Sequence, residues 1–467
     1  MERRISTSIQ KGHAKWFALF IMAFITFASY YTWEVFSPFK EYLGTSYGFD
    51  STEYGVLQAS FSIPSSFLLA TIIGGILMDR VGITKIGNLL IVLMIISGLI
   101  TSYGVSPYFA KGNWLYEYLT SYIPIYSPRL KILILGSFIF GMAAVNLFTL
   151  TAKAVALWFM DKNYGLASSL NVSAIRIGTG GALVLGPYLF NLKGWPIPIY
   201  TIIIFQFIVI ILFLIYTRLH KKLIHSKKYL ELKKAEENTP FKKIIELRKN
   251  FDFYLLVITG ALFYPILYTI LRFAPDMIQN IYHLNFEASS DYSSIIPITA
   301  TVITPTTGYI LDKSHRPSIV IMIGSVLLLI GIALLMFQIQ PSVIPLFVIG
   351  LSFGVLPAGY WFVFGKVLGK QVFATASGIM LWLQQTALWG TPIILGYILD
   401  ITNHGITAAD IQAGKAYFDY FYPLMYLGIY AIVNLIICAV LGYRYVAVHK
   451  KRILSGEYDS SNNPGYE

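Results

Sequence analysis

The chain has 467 residues, 56% of them hydrophobic and 12% charged, with a formal net charge of +12 and a single cysteine. The charged share is about half that of soluble domains, which excludes an ordinary soluble protein, and the lone Cys438 excludes a disulfide framework. The basic excess is spread loop by loop rather than gathered on one patch, which excludes nucleic acid as the partner and points to membrane topology.

Twelve apolar runs are long enough to cross a ~30 Å hydrocarbon core. They are predicted at 16–36, 53–78, 84–104, 131–157, 165–190, 197–217, 252–276, 291–311, 318–338, 342–367, 373–399 and 419–443. The first is too long for the apolar stretch of a cleavable leader. It carries Tyr30, Tyr31, Trp33 and Glu34, the last ~27 Å along its axis, where it can meet an amine, bind a proton or pair with Lys40. GGILMDRVGITK (74–85) follows the second span, and a Tyr- and Pro-rich loop spans 105–130. Lys153 lies toward the end of the fourth span and reads as a snorkelling or latch cation. The charged turn Asp161-Lys162-Asn163 opens the fifth. That span is lined by small residues, Ser173, Gly178, Gly180 and Gly181 among them, which allow close helix approach in lipid. Arg176 stands ~16 Å into it, near the bilayer centre. A charge there costs at least ~2.5 kcal/mol and calls for a partner, which in a transporter is often the substrate.

Segment 218–251 is charged and without a spanning run, a cytoplasmic linker dividing the chain into 1–217 and 252–447, with a tail at 448–467. The seventh span offers Tyr264 and Tyr268, and also Arg272, read as an i,i+4 pair with Asp276 near a membrane edge. TGYILDKSHRPS (307–318) follows the eighth span and brings Asp312. Spans ten and eleven offer Tyr360, Trp361, Trp382, Trp389 and the amides Gln384 and Gln385, the latter at the position pseudo-symmetric to Arg176. Pro265, Pro357 and Pro392 are candidate helix breaks. All seven histidines fall outside the spans or at their ends, so a coupling proton has one candidate, Glu34. No Walker loop, metal cluster or nucleophile triad is visible, so neither an enzyme nor a cofactor is expected.

Of the 35 Lys and Arg residues, 26 fall in loops on the side of the N-terminus and 6 on the other, which puts both termini in the cytoplasm. The two halves repeat: Gly75 and Asp79 recur as Gly308 and Asp312, an offset of 233. Internal repeats with a binding site at their interface mark transporters.

Gly75-Ile76-Leu77-Met78-Asp79-Arg80-Val81-Gly82 resembles the G-x-L-x-D-R-x-G loop signature of the major facilitator superfamily. The resemblance implies an all-α integral membrane fold of twelve transmembrane helices in two pseudo-symmetric six-helix bundles. It also implies a latch of Asp79, Arg80, Asp161 and Asp312. The stretches YYTWEVFSPF (30–39), FIFGMAAVNLF (138–148) and GLASSLNVSAIRIG (165–178) resemble the lysosomal dipeptide transporter branch of that superfamily. There a fifth-span arginine is implied to bind the substrate carboxylate, here Arg176. Val145 stands where the branch carries a fourth-span glutamate for the amino group.

The reading is a secondary transporter of a small carboxylate-bearing solute, dipeptide or amino-acid-like, working by alternating access. Its expected site is Arg176, Glu34, Tyr31, Tyr268, Tyr264, Trp382 and Gln385. The rivals are an anion carrier (nitrate, dicarboxylate or sugar phosphate) and a non-transporting membrane scaffold or sensor. A monomer in a bacterial inner membrane is expected, because the external loops lack glycosylation acceptors and the tails lack an acidic dileucine signal.

Overall fold

A computed structural model describes residues 13–159, 163–224, 251–314 and 316–454. Among them every regular element is a helix. In order these are α1 (His13–Glu34), a 3-10 turn (Ser37–Phe39), α2 (Lys40–Tyr47), α3 (Ser51–Ala59), a second 3-10 turn (Ser60–Ser62), α4 (Ile63–Phe67), α5 (Ala70–Val81), α6 (Ile83–Val105) and α7 (Trp114–Tyr122). Then come α8 (Pro128–Phe159), α9 (Tyr164–Lys193), α10 (Ile197–Ile224), α11 (Phe251–Tyr282), α12 (Phe286–Ser293), α13 (Ile295–Ser314) and α14 (Pro317–Met336). The last are α15 (Val343–Thr402), α16 (Ala408–Gln412) and α17 (Phe421–Leu454). Most of the linker and the end of the tail lie outside the described residues.

Among the described residues ten helices are long and apolar enough to cross a membrane, or eleven when a pair bent by 58° is counted as one. Twelve were expected from the sequence. The predicted spans 342–367 and 373–399 lie in one helix, α15. The bent pair replaces the expected single helix at 53–78. Leu69 adopts φ 53° between α4 and α5. Asn146 Nδ2 donates to the Ala70 carbonyl at 3.1 Å, and Thr71 Oγ1 donates to Ser65 Oγ at 2.8 Å. Such side chains supply the bonds that a helix break inside lipid requires.

The chain forms two compact units. One comprises Met1–Thr239, Tyr268–Ser294 and Gln385–Pro423, the other Pro240–Leu267, Ile295–Gln384 and Leu424–Glu467. This division differs from the halves expected on either side of the linker, since the first unit also takes the latter part of α11, all of α12 and the end of α15.

In the first unit the small residues of α9 work as the sequence suggests. A Cβ on Gly178 would stand 2.4 Å from the Phe27 carbonyl oxygen of α1, so the two backbones touch. The second unit packs by the same device. A Cβ on Gly324 of α14 would lie 2.8 Å from the Leu356 amide of α15, and Ser352 Oγ donates to the Gly324 carbonyl at 2.8 Å. Where lipid cancels the hydrophobic drive between helices, this close approach and these bonds hold them together.

Candidate functional site

Arg176 stands in α9 with 6% of its surface exposed. Five residues earlier, ~7.5 Å along the helix, Asn171 Oδ1 accepts from Thr26 Oγ1 at 3.1 Å, and Thr26 also reaches Thr151 at 3.2 Å. This polar triad joins α1, α8 and α9. On another side is Tyr268 of α11, whose hydroxyl feels the Arg176 charge and shares a hydrogen bond with Tyr30. The Tyr268 ring stacks on Trp33, centroids 5.2 Å apart and planes within 12°. Trp33 in turn packs on Phe61 at 4.3 Å. An aromatic layer therefore adjoins the arginine.

Beyond that layer is a fully buried ion pair. Arg272 Nε lies 3.9 Å from Glu34 Oε1, both side chains wholly shielded. The guanidinium sits over the rings of Phe61 and Trp33, at 4.7 and 5.0 Å. Its Nη1 donates to the Gln58 carbonyl at 2.8 Å, and Ser37 Oγ donates to Glu34 Oε2 at 2.8 Å. Tyr54 hydroxyl closes the ring by donating to the Arg272 carbonyl at 2.9 Å while accepting from Gln58 Nε2 at 2.8 Å. At 3.9 Å the pair exceeds hydrogen-bond length, so it is held by charge and shape rather than by a direct bond.

One turn farther along α11 is a second buried pair. Lys40 Nζ contacts Asp276 Oδ2 at 2.9 Å, and the Tyr420 hydroxyl donates to the same oxygen. The lysine also sits 4.5 Å from the Phe418 ring. These two layers correct the sequence reading. Arg272 pairs with Glu34 rather than with Asp276, and Lys40 pairs with Asp276 rather than with Glu34. Each α11 charge faces the first span, where Glu34 ends α1 and Lys40 begins α2 after the 3-10 turn Ser37–Phe39.

At the same end the last turn of α15 clasps the start of α3. The Asp400 carboxylate accepts from the Ser51 and Thr52 amides at 3.0 and 2.7 Å and from Thr52 Oγ1 at 2.6 Å. An acid at a helix N-terminus satisfies orphan amides and meets the positive end of the dipole. The backbones beneath are in contact, since a Cβ on Gly396 would stand 2.1 Å from the Ser51 carbonyl oxygen.

The other expected site residues are scattered. Gln385 Oε1 accepts from Ser62 Oγ at 2.9 Å in the first unit. Tyr31 is packed between helices, bonded to Thr201 at 2.8 Å and edge-on to Phe205. Tyr264 and Trp382 belong to the second unit, where the Tyr264 hydroxyl accepts from Trp361 Nε1 at 2.8 Å. Of the expected latch, Arg80 and Asp312 are exposed, while the Asp79 side chain and Asp161 lie outside the described residues. The Lys40–Asp276 pairing was missed, as were Tyr420 and Asp400. The pairing's one sequence signal is the reciprocal order of acid and base in Glu34…Lys40 and Arg272…Asp276; Tyr420 and Asp400 have none. Among the described residues no three His, Cys, Asp or Glu are grouped to hold a metal.

The long apolar helices and buried charges describe a polytopic membrane protein. The family model described as Major Facilitator Superfamily matches residues 22–391. The chain belongs to that superfamily. It is therefore a multi-pass membrane protein of a transporter family. This major facilitator is 22% identical over 407 residues to the lysosomal dipeptide transporter MFSD1 of Bos taurus, covering 83% of this chain and 80% of the relative. A solved D-xylose-proton symporter shares its fold with a TM-score of 0.64 at 14% identity, over 91% of this chain and 97% of that one. A bacterial homologue of the human lysosomal transporter Spinster, inward-facing and unoccupied, gives 0.65 at 11%, over 93% and 98%.

Proposed function

We propose that this major facilitator carries a small carboxylate-bearing solute, a dipeptide or amino-acid-like compound, by alternating access, with Arg176 as the carboxylate anchor. The observation carrying this reading is a guanidinium 6% exposed at mid-helix beside the Tyr268–Trp33 stack. Such a group offers a rigid fork to a carboxylate and an aromatic face to the rest of the ligand. The name of the bovine relative supports the peptide class.

Glu34, held by Arg272, serves in this reading as a partner of that cation rather than of the bound solute. It is also the candidate for a coupling proton. Protonation would leave Arg272 facing a neutral acid, with Tyr54 and Tyr268 as the other titratable groups that feel Glu34, so acid would loosen the layer. The lysine and arginine distribution supports cytoplasmic termini, and we place the protein as a monomer in a bacterial inner membrane. A second reading, an anion carrier, is favoured by Val145, buried in α8 where an acid would serve an amine.

The test is ligand-dependent thermal stabilisation of wild type beside Arg176→Ala, with dipeptides, amino acids, dicarboxylates, nitrate and sugar phosphates. A ligand at 100 times its Kd adds about 2.7 kcal/mol, a visible shift. Dipeptides should stabilise the wild type alone. Stabilisation only by anions lacking an amino group would replace the peptide reading with the anion carrier.

A further inference from the structure

The long loop between α6 and α8 is built. Asn113 caps α7, its Oδ1 accepting from the Leu115 amide at 3.0 Å, while its Nδ2 donates to the Tyr103 hydroxyl of α6 at 2.9 Å. At the other end of α7, Lys131 of α8 donates to the Leu119 carbonyl at 2.7 Å and to that of Ile123. Leu119 packs with Phe109 and Ile132 in a small core that Leu115 and Tyr116 adjoin.

A helix so fixed has sides that differ in chemistry. At 100° per residue, Trp114, Tyr118 and Tyr122 fall at roughly 0°, 40° and 80°, and the packed Leu115, Leu119 and Tyr116 at roughly 100° to 200°. Thr120 and Glu117 fall at roughly 240° to 300°. The three aromatics are 76%, 51% and 73% exposed. Exposed rings of this size on a tethered helix call for a covering partner. The lipid-facing surface beside it shows which. The exposed residues of α6 recur as Leu89, Val92, Ile96, Leu99 and Tyr103. That helical stripe runs along a spanning helix and ends at the tyrosine bonded to the cap of α7. Tyr103 thus joins that exposed stripe to the cap of α7.

We propose that α7 is an interfacial anchor, lying in the headgroup layer at the α6–α8 end with Trp114, Tyr118 and Tyr122 turned into the lipid and Thr120 and Glu117 turned to water. Amphipathic rings favour that layer because one edge is apolar and the other can bond to water or to the headgroups. The anchor holds the end of α8, through Lys131, at a fixed depth.

The experiment places a fluorophore on Tyr118→Cys or Thr120→Cys in the full-length protein in liposomes; the native Cys438 is buried. Both substituted positions are exposed, so folding is checked by size-exclusion profile alone. The label at 118 should be quenched by lipids brominated near the headgroup, less by lipids brominated deep in the chain, and be shielded from iodide. The label at 120 should be reached by iodide. Equal iodide quenching at both positions would overturn the proposal. Shielding at 118 that disappears as lipid-to-protein ratio rises would also overturn it, showing a second copy of the chain as the cover.

Discussion

Removing either member of the Glu34–Arg272 pair alone should harm the protein more than removing both. Two unit charges 3.9 Å apart interact by about 4 kcal/mol at an effective dielectric of ~20. Glu34→Gln abolishes that term and leaves Arg272 buried with the Gln58 carbonyl and two rings. Arg272→Met leaves Glu34 buried with only the Ser37 hydroxyl. Breaking a buried pair in this way costs about 3–5 kcal/mol, whereas exchanging both members for neutral groups of similar volume is often close to neutral. The Glu34→Gln/Arg272→Met protein should therefore be more stable than either single variant, with a coupling free energy of about 4 kcal/mol. The assay is unfolding of the four proteins in one detergent, followed by heat and by denaturant. If the double variant loses the sum of the two single losses, the charges are uncoupled and the layer rests on aromatic packing alone.

Asp276→Asn removes the carboxylate in contact with buried Lys40 and should cost about 3–5 kcal/mol, measured by the same melts; a loss within error would mean the lysine escapes to water or to another acid. Gly396→Ala places a Cβ against the Ser51 carbonyl, so it should part the α15–α3 clasp. Faster thiol labelling of Thr52→Cys in that background reports it, and unchanged labelling counts against the contact. Asp50, at the start of α3, has its carboxyl raised above the usual carboxylate range by burial, with the nearby Asp400 charge adding to the effect. A raised folded-state value means the native protein holds the proton more tightly, so this group adds stability as pH falls through that raised value and withdraws it as pH rises. Asp50→Asn keeps the helix cap and should flatten that part of the curve of melting temperature against pH, while an unaltered slope would assign it elsewhere.

The sequence exposed what local pattern controls. Apolar run length located the spanning helices, and the small residues of α9 announced its contact with α1. Arg176 stood out because charge is rare at such depth, and the structure buries it. What escaped was set by tertiary partners. Arg272 and Asp276, four apart on one helix, suggested a local pair, yet each meets an opposite charge on the first span. Tyr420 and Asp400 are far from residues 276 and 51 in sequence, and no spacing rule links them. The break after α4 left only a faint trace, Pro64 and a few serines within an apolar run. The fixed α7 was hidden because the Tyr- and Pro-rich composition of its loop masked a nine-residue helix with a good cap.

The Leu69 break gives the second span a property that a straight rod lacks. The polar groups at the bend are held by Ser65, Thr71 and Asn146, side chains that can exchange one acceptor for another. Bending there swaps bonds instead of severing a run of backbone bonds in lipid. The span thus has a joint at Leu69 whose freed polar groups are already bonded to side chains. A force applied at the Asp400 clasp would reach the GGILMDR end as a change of angle, like a push on one arm of an elbow.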